Sequence, residues 1–178
     1  MGLYTNSGIF SGFNNSGKNG GIIQSKFTPV NGVVSASGDG VQLSQFETSI
    51  TPCTSNSHFI IIVSLGMVSS NTSNSLTFEV RRGSSSINDM RGNADGSRPR
   101  RTFRTDRNWN GDANHGHGIT FIVQDSPGST GSKQYNLYAH PQNNNTCYIN
   151  RTENDSNGSN NYQSRVMSSM LVLEVGDN

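Results

Sequence analysis

Apolar and polar residues alternate along several short runs of this chain, and a period of two excludes most helical folds. Leu76, Phe78 and Val80 are each followed by a polar or charged residue, and the same period recurs at residues 119–123 and 135–139. Side chains two residues apart in a β-strand lie on the same face of the sheet. Each run therefore predicts a strand with one face in the core and the other in contact with water or a partner.

Clusters of turn-forming residues separate these runs. Ser, Asn and Gly account for 70 of the 178 residues, and these types accept turn geometry that bulky residues resist. The spacing of the runs favours an all-β sandwich and leaves no room for a helix of ordinary length. The predicted strands are Gly21–Thr28, Val30–Ala36, Val41–Thr51, Ser57–Val68, Ser75–Arg82, Arg100–Thr105, Gly118–Gln124, Gln134–His140, Thr146–Asn150 and Arg165–Val175.

Two runs, Phe59–Val63 and Met170–Val175, are apolar on both faces except at Glu174. Such runs are typical of central strands, or of strands whose outer face is covered by another subunit. Only 30% of the chain is hydrophobic, so the core of a single domain is expected to be thin. Burial between subunits would supplement that core, and we therefore expect a homo-oligomer.

Residues 1–20 are rich in Gly, Asn and Ser and predict an extended N-terminal arm before a single domain at residues 21–178. Such a segment cannot bury enough surface to fold alone, but spaced apolar side chains could bind grooves of a partner. A terminus without function is the alternative interpretation. The candidate anchoring residues are Leu3, Tyr4, Ile9, Phe10 and Phe13.

Arginine is concentrated in one segment, because eight of the thirteen cationic residues lie between residues 81 and 107. Nucleic-acid binding is disfavoured, since the net charge is only +1 and such domains are usually basic overall. The remaining interpretations are an interface with carboxylates of a partner or a neighbouring subunit, and a solvated loop. The candidate interface residues are Arg98, Arg100, Arg101, Arg104 and Arg107.

No sequence motif indicates catalysis, a cofactor or a metal. The chain lacks a nucleophile elbow, a phosphate-binding loop and a paired-carboxylate motif, so we expect a protein that is not an enzyme. His115-Gly116-His117 lacks the further ligands that a structural zinc site needs, and is interpreted as a turn.

Export and membrane insertion are not indicated either. The longest apolar run, Phe59–Val63, is far shorter than the roughly 20 residues of a membrane helix, and no secretory signal is visible at the N-terminus. Cys53 and Cys147 are interpreted as two buried thiols in a reducing compartment, with a single bridge between them as the alternative.

Seven short motifs stand in order between Gly21 and the end of the chain. They are Ile22-Ile23-Gln24, Ser49-Ile50-Thr51-Pro52 before the run Phe59–Leu65, Phe78-Glu79-Val80-Arg81-Arg82-Gly83, Gly96-Ser97-Arg98, Asp125-Ser126-Pro127-Gly128, Tyr148-Ile149-Asn150-Arg151, and a closing apolar run ending near Glu174. Together they resemble the small jelly-roll modules of structural proteins in marine and cyanobacterial tailed phages. The segment Arg98–Arg107 is more basic than that resemblance leads us to expect.

The resemblance implies an antiparallel jelly-roll β-sandwich of tumour-necrosis-factor-like shape, usually a homotrimer on the outside of a virion. Because the chain carries no fibrous stalk, it resembles a capsid decoration (cement) protein, made in the host cytoplasm and bound to the major capsid protein on the outer surface of the head. The resemblance also implies an alternative, a receptor-binding domain of a tail fibre or spike that recognises host surface glycan. A hydrolase of surface polysaccharide is a third, weaker alternative.

Overall fold

The structure, a computed structural model, describes residues 21–70, 75–105 and 113–176. The predicted arm at residues 1–20 lies outside these ranges. Within them the chain forms eleven strands and three 3-10 helices of three residues each. The strands are β1 (Ile22–Val30), β2 (Val34–Ser37), β3 (Val41–Ile50), β4 (His58–Ser70), β5 (Leu76–Arg82), β6 (Ser85–Ser86), β7 (Phe103–Arg104), β8 (His117–Asp125), β9 (Lys133–Pro141), β10 (Thr146–Ile149) and β11 (Ser168–Val175), and the helices are Asn88–Met90, Gln142–Asn144 and Asn161–Gln163.

The strands form two antiparallel sheets that pack face to face. A six-stranded sheet contains β1, β11, β4, β10 and β2 in that order, with β8 paired to β4. A five-stranded sheet contains β3, β9, β5 and β6 in that order, with β7 paired to β5. Side chains from the inner faces of both sheets share one hydrophobic core. The prediction of an all-β sandwich is therefore confirmed.

The core is built from the alternating apolar residues that the sequence pattern marks. Phe78 of β5 and Phe121 of β8 face each other across the two sheets with ring centroids 6.5 Å apart, and Phe103 stacks on Phe121 at 5.2 Å. Aromatic pairs at these separations add about 0.5–1.5 kcal/mol to the burial of their area. The other strands of both sheets add further core residues, among them Phe46, Phe59, Ile61 and Leu137.

Both doubly apolar runs are central strands, as expected. β4 lies between β11 and β8, and β11 lies between β1 and β4. Glu174 is completely buried in β11, where the backbone N–H of Cys53 donates to it at 2.6 Å and the side chain of Gln24 donates to its other oxygen. A buried carboxylate is tolerated here because donors from the chain replace its water.

Two expectations need correction, and one alternative is excluded. The alternation in β5 places Glu79 toward water or a partner, but Glu79 is only 1% exposed, because the side chains of Arg81, Arg91 and His140 surround it.

The two cysteines are free, which excludes the bridge in this structure, and only Cys147 is buried. Cys53 is exposed because it lies in the turn after β3. Burial raises the pKa of Cys147 to about 12.

Candidate functional site

A row of four apolar side chains crosses the outer face of the six-stranded sheet. Phe27 of β1 stands opposite Leu171 of β11. Leu171 stands opposite Ile62 of β4, which stands opposite Ile122 of β8. Phe27 is 56% exposed and Ile122 is 63% exposed, while the two central residues are half-buried. Opposite side chains of neighbouring strands lie roughly 4.5–5.5 Å apart at Cβ, so the four residues form one continuous strip, the apolar row.

A row of uncharged residues lies on each side of the apolar row. One contains Ser25, Leu173, Ile60 and Gln124, and the other contains Pro29, Ser169, Ser64 and Thr120. None of these twelve residues is Asp, Glu, Lys or Arg, and we call the three rows together the uncharged face. The hydroxyls of Ser64 and Thr120 are 3.1 Å apart and hydrogen-bond each other, which lowers the cost of removing them from water.

The uncharged face has the chemical character of a contact surface. Exposed apolar patches that span several strands mark interaction sites on soluble proteins, and the centres of protein interfaces are depleted in charged residues. Phe27 and Ile122 are each a little more than half exposed. Covering them would therefore contribute roughly 0.8–1.5 kcal/mol apiece, about half of what full burial of such a side chain contributes.

The outer face of the five-stranded sheet has the opposite character, because a buried carboxylate lies at its centre. Arg81 donates to Oε2 of Glu79 from Nε at 3.0 Å and from Nη2 at 2.7 Å, and Arg91 lies 3.6 Å from Oε1. Burial alone would raise the pKa of Glu79, but hydrogen bonds from Ser86 and Arg81, together with the charge of Arg81, outweigh it and lower that pKa. Glu79 is therefore ionised at neutral pH and holds the arginine-rich segment against the sheet.

His140 links this carboxylate to the turn between β2 and β3. Its Nδ1 lies 2.6 Å from Oδ1 of Asp39, and its Nε2 lies 3.4 Å from Oε2 of Glu79. Burial lowers the pKa of His140 and outweighs the hydrogen bond to Asp39, which raises it. The same hydrogen bond lowers the pKa of Asp39. At neutral pH a neutral imidazole therefore donates from Nδ1 to an ionised Asp39. Gly38 and Gly40, with φ of 96° and 71°, provide the left-handed backbone that this turn needs.

Two of the predicted interface arginines contact other residues of the same chain. Arg100 is half-buried and donates to the carbonyl O of Gly92 at 2.6 Å and to Oδ1 of Asn88 at 2.9 Å. Arg101 is also half-buried, and its guanidinium lies 3.6 Å from Oδ1 of Asp39. The strand predicted at Arg100–Thr105 is shorter in the structure, where β7 comprises only Phe103–Arg104.

The other predicted interface residues are exposed or lie outside the described ranges. Arg98 is exposed and pairs with Asp95. Arg104 is exposed and donates to the hydroxyl of Ser75 at 3.1 Å. The contacts of Arg98 and Arg104 with a partner therefore remain predictions. Arg107 and the arm residues Leu3, Tyr4, Ile9, Phe10 and Phe13 lie outside the described residues.

Sequence reasoning missed the residues that the sheets bring together across strands. Phe27 and Ile122 are apolar residues at outward positions, and no motif in the sequence marks them. That they lie in one row with Leu171 and Ile62 follows only from the strand register. Asp39 and His140 are 101 residues apart in the sequence. The only local feature that distinguishes Asp39 is the glycine on each side of it, which indicates a turn. A search for outward apolar positions on every predicted strand would have found Phe27 and Ile122, but not their alignment.

In residues 21–70, 75–105 and 113–176, no three His, Cys, Asp or Glu side chains are grouped so that they could hold a metal ion. Among the described helices, none has the length and apolar character needed to cross a membrane. The chain matches no protein family and none of the curated proteins with which it was compared.

Proposed function

We propose that this chain is a non-enzymatic structural protein of a phage virion, a jelly-roll domain that assembles through its uncharged face into a homotrimer on the outer surface of the capsid. The uncharged face is the observation that carries the proposal, because its apolar row is partly open to water on a single chain and its lack of charged residues is typical of a surface that another chain covers. The sequence resemblance supplies the phage context and the number of subunits.

The order of strand pairing supports a jelly-roll arrangement of the sandwich. β1 pairs with β11, β3 with β9, β4 with β8, and β5 with β7, all antiparallel. These pairs are nested, from the two ends of the described chain inward, as in a long hairpin that is folded on itself. These four pairs lie alternately in the six-stranded and the five-stranded sheet, and a fifth nested pair, β2 with β10, also lies in the six-stranded sheet. Eight strands in two sheets with this kind of rolled connection are the defining arrangement of the jelly roll.

The contrast between the two outer faces supports an oriented assembly. The uncharged face would turn toward the other subunits, since it loses little hydrogen bonding when it is covered. The charged outer face of the five-stranded sheet, with the exposed Arg98 and Arg104, would remain available for carboxylates of the major capsid protein. Three copies on one particle would then multiply weak individual contacts through effective concentration.

The assembly is tested by placing a charge in the apolar row. Ile122→Asp adds a carboxylate at an exposed position, where a single chain tolerates it, but in a subunit interface the carboxylate would be buried without a partner. We expect wild-type protein to sediment at three times the monomer mass of 19.2 kDa at micromolar concentration, and the variant to sediment as a monomer with an unchanged circular-dichroism spectrum. Ser49→Asp, at an exposed position of β3, is the matched control and should leave the mass unchanged.

A monomeric wild-type protein, or an Ile122→Asp variant that assembles normally, would refute the role of the uncharged face.

The location of the protein on the virion is tested separately. Cryo-electron microscopy of particles of the phage that encodes the chain should place the trimer on the outer surface of the head. Its absence from the head would refute a capsid protein, and density for it at the tip of a tail fibre would favour a receptor-binding domain instead.

A further inference from the structure

A cleft of about 570 Å³ opens beside the charged side of the five-stranded sheet. Its walls come from four separate parts of the chain: the turn between β2 and β3, the start of β5, the segment that leads into β7, and the end of β9 with the helix that follows it. Its size lies within the range of roughly 300–1,000 Å³ that is usual for small-molecule sites. The lining residues used below are Asp39, Thr77, Arg101, Arg104, His140 and Gln142.

Two guanidinium groups face this cleft. Arg104 is exposed, and its guanidinium donates a hydrogen bond to the hydroxyl of Ser75. Arg101 is half-buried, and one of its nitrogens donates to the carbonyl O of Arg100 at 3.0 Å, while its Nε is buried and finds no partner among the described residues. Guanidinium groups bind planar anions such as carboxylates with paired hydrogen bonds. One wall of the cleft is thus suited to a carboxylate.

An ionised carboxylate and neutral polar groups also line the cleft. Oδ1 of Asp39 accepts the hydrogen bond from His140, and the same oxygen lies 3.6 Å from the guanidinium of Arg101. Its side chain is 67% exposed, so its other oxygen can accept hydrogen bonds from hydroxyl groups of a ligand. Thr77 and Gln142 add a hydroxyl and an amide to the lining. The cleft thus combines sites for one negative charge with acceptors and donors for several hydroxyls.

We propose that this cleft binds a sugar acid, with the carboxylate of the sugar on Arg101 and Arg104 and its hydroxyls on Asp39 and Gln142. An acidic peptide fits less well, because Asp39 repels a chain of carboxylates and because two lining residues, Pro99 and Pro141, have no N–H to pair with a peptide backbone. The inference goes beyond the proposed structural function and does not depend on assembly, since all the lining residues belong to one chain.

The test is a titration of the purified full-length protein with glucuronate, followed by calorimetry or by NMR chemical shifts. We expect saturable binding, and at least a tenfold loss of affinity when glucose replaces glucuronate. Arg104→Ala should weaken glucuronate binding at least tenfold, because it removes one of the two guanidinium groups. Arg165→Ala, which removes an exposed arginine that pairs with Asp155 outside the cleft, should leave the affinity unchanged. Arg104→Gln, which keeps a polar side chain but removes the positive charge, should also weaken glucuronate binding at least tenfold.

Asp39→Asn separates recognition of the sugar from recognition of an anion. It should weaken binding of glucuronate more than binding of acetate. Acetate or inorganic sulfate that binds as tightly as glucuronate would overturn the proposal, because the hydroxyls would then contribute nothing. Tighter binding of polyglutamate than of glucuronate, or an Arg104→Ala variant with unchanged affinity, would overturn it as well. Monomeric protein that binds glucuronate would refute the proposed assembly while it supports this inference.

Discussion

The buried pair of Tyr135 and Asp125 allows a sharp test of what holds the two sheets together. Tyr135 of β9 is completely buried, and its hydroxyl donates to Oδ2 of Asp125, at the end of β8 in the other sheet, at 2.7 Å. Arg82 of β5 donates to both oxygens of the same carboxylate, at 2.9 and 3.1 Å. Burial raises the pKa of Tyr135, and so does its hydrogen bond to Asp125. The phenol therefore stays protonated and donates at all ordinary pH values.

Tyr135→Phe removes the hydroxyl and keeps the ring, which packs against Phe59 with centroids 5.8 Å apart. The loss is one hydrogen bond to a charged and buried acceptor, and such bonds are worth about 1.5–3 kcal/mol. Tyr138→Phe is the matched control, because the hydroxyl of Tyr138 donates to the neutral amide oxygen of Gln42 at 3.1 Å. A neutral bond of this kind is worth about 0.5–1.5 kcal/mol.

Urea unfolding followed by circular dichroism at pH 7 measures both losses. The variants are compared at one protein concentration, because assembly would make the apparent stability depend on concentration. We expect the midpoint to fall more for Tyr135→Phe than for Tyr138→Phe, with unchanged slopes. A loss below about 0.5 kcal/mol for Tyr135→Phe, or a larger loss for Tyr138→Phe, would show that the charge of Asp125 does not strengthen this bond.

Two further predictions concern pH and backbone packing. Burial alone would raise the pKa of Glu174, but hydrogen bonds from Ser57, Gln24 and the backbone of Cys53 outweigh it and lower that pKa from 4.5. The stabilisation is therefore present above pH 4.5 and is lost as the pH falls through the folded pKa, so Glu174→Gln should show a smaller drop in urea midpoint between pH 7 and pH 3 than wild type. Gly66→Ala should cost about 1–3 kcal/mol in urea unfolding, because its Cβ would lie less than 3.0 Å from the carbonyl O of Met167, whereas Gly21→Ala, with nothing within 4 Å, should be neutral. An equal loss for the two alanine variants would contradict the close approach at Gly66.

Most of the strands could be predicted from the sequence, because each strand is encoded by its own residues. The alternation of Leu76, Phe78 and Val80 predicts β5 almost to the residue. The doubly apolar runs predict that β4 and β11 are central strands or strands with a covered outer face, because apolar residues on both sides leave no polar face for water. β6, by contrast, consists of Ser85 and Ser86, and two serines carry no pattern that distinguishes a strand from a turn.

The charged network could not be predicted in this way. Glu79, His140 and Asp39 belong to three segments that are far apart in sequence, and their distances depend on the register between β5 and β9 and on the path of the turn after β2. Alternation assigns Glu79 to the outer face correctly. Whether that face is open or covered depends on the arginine-rich segment, which returns over it with Arg91.

The sequence by itself determined that the chain folds as a sandwich of short strands, which residues of its alternating strands point inward, and which two strands are apolar on both faces. Each of these properties follows from the local pattern of apolar and polar residues and from the turn residues between the strands. Only the tertiary structure decided that Phe27, Leu171, Ile62 and Ile122 form one row, because a row across a sheet is made by register, and a shift of one residue would turn each side chain to the other face. The surface on which the proposed function depends is therefore a property of strand pairing and not of any single segment.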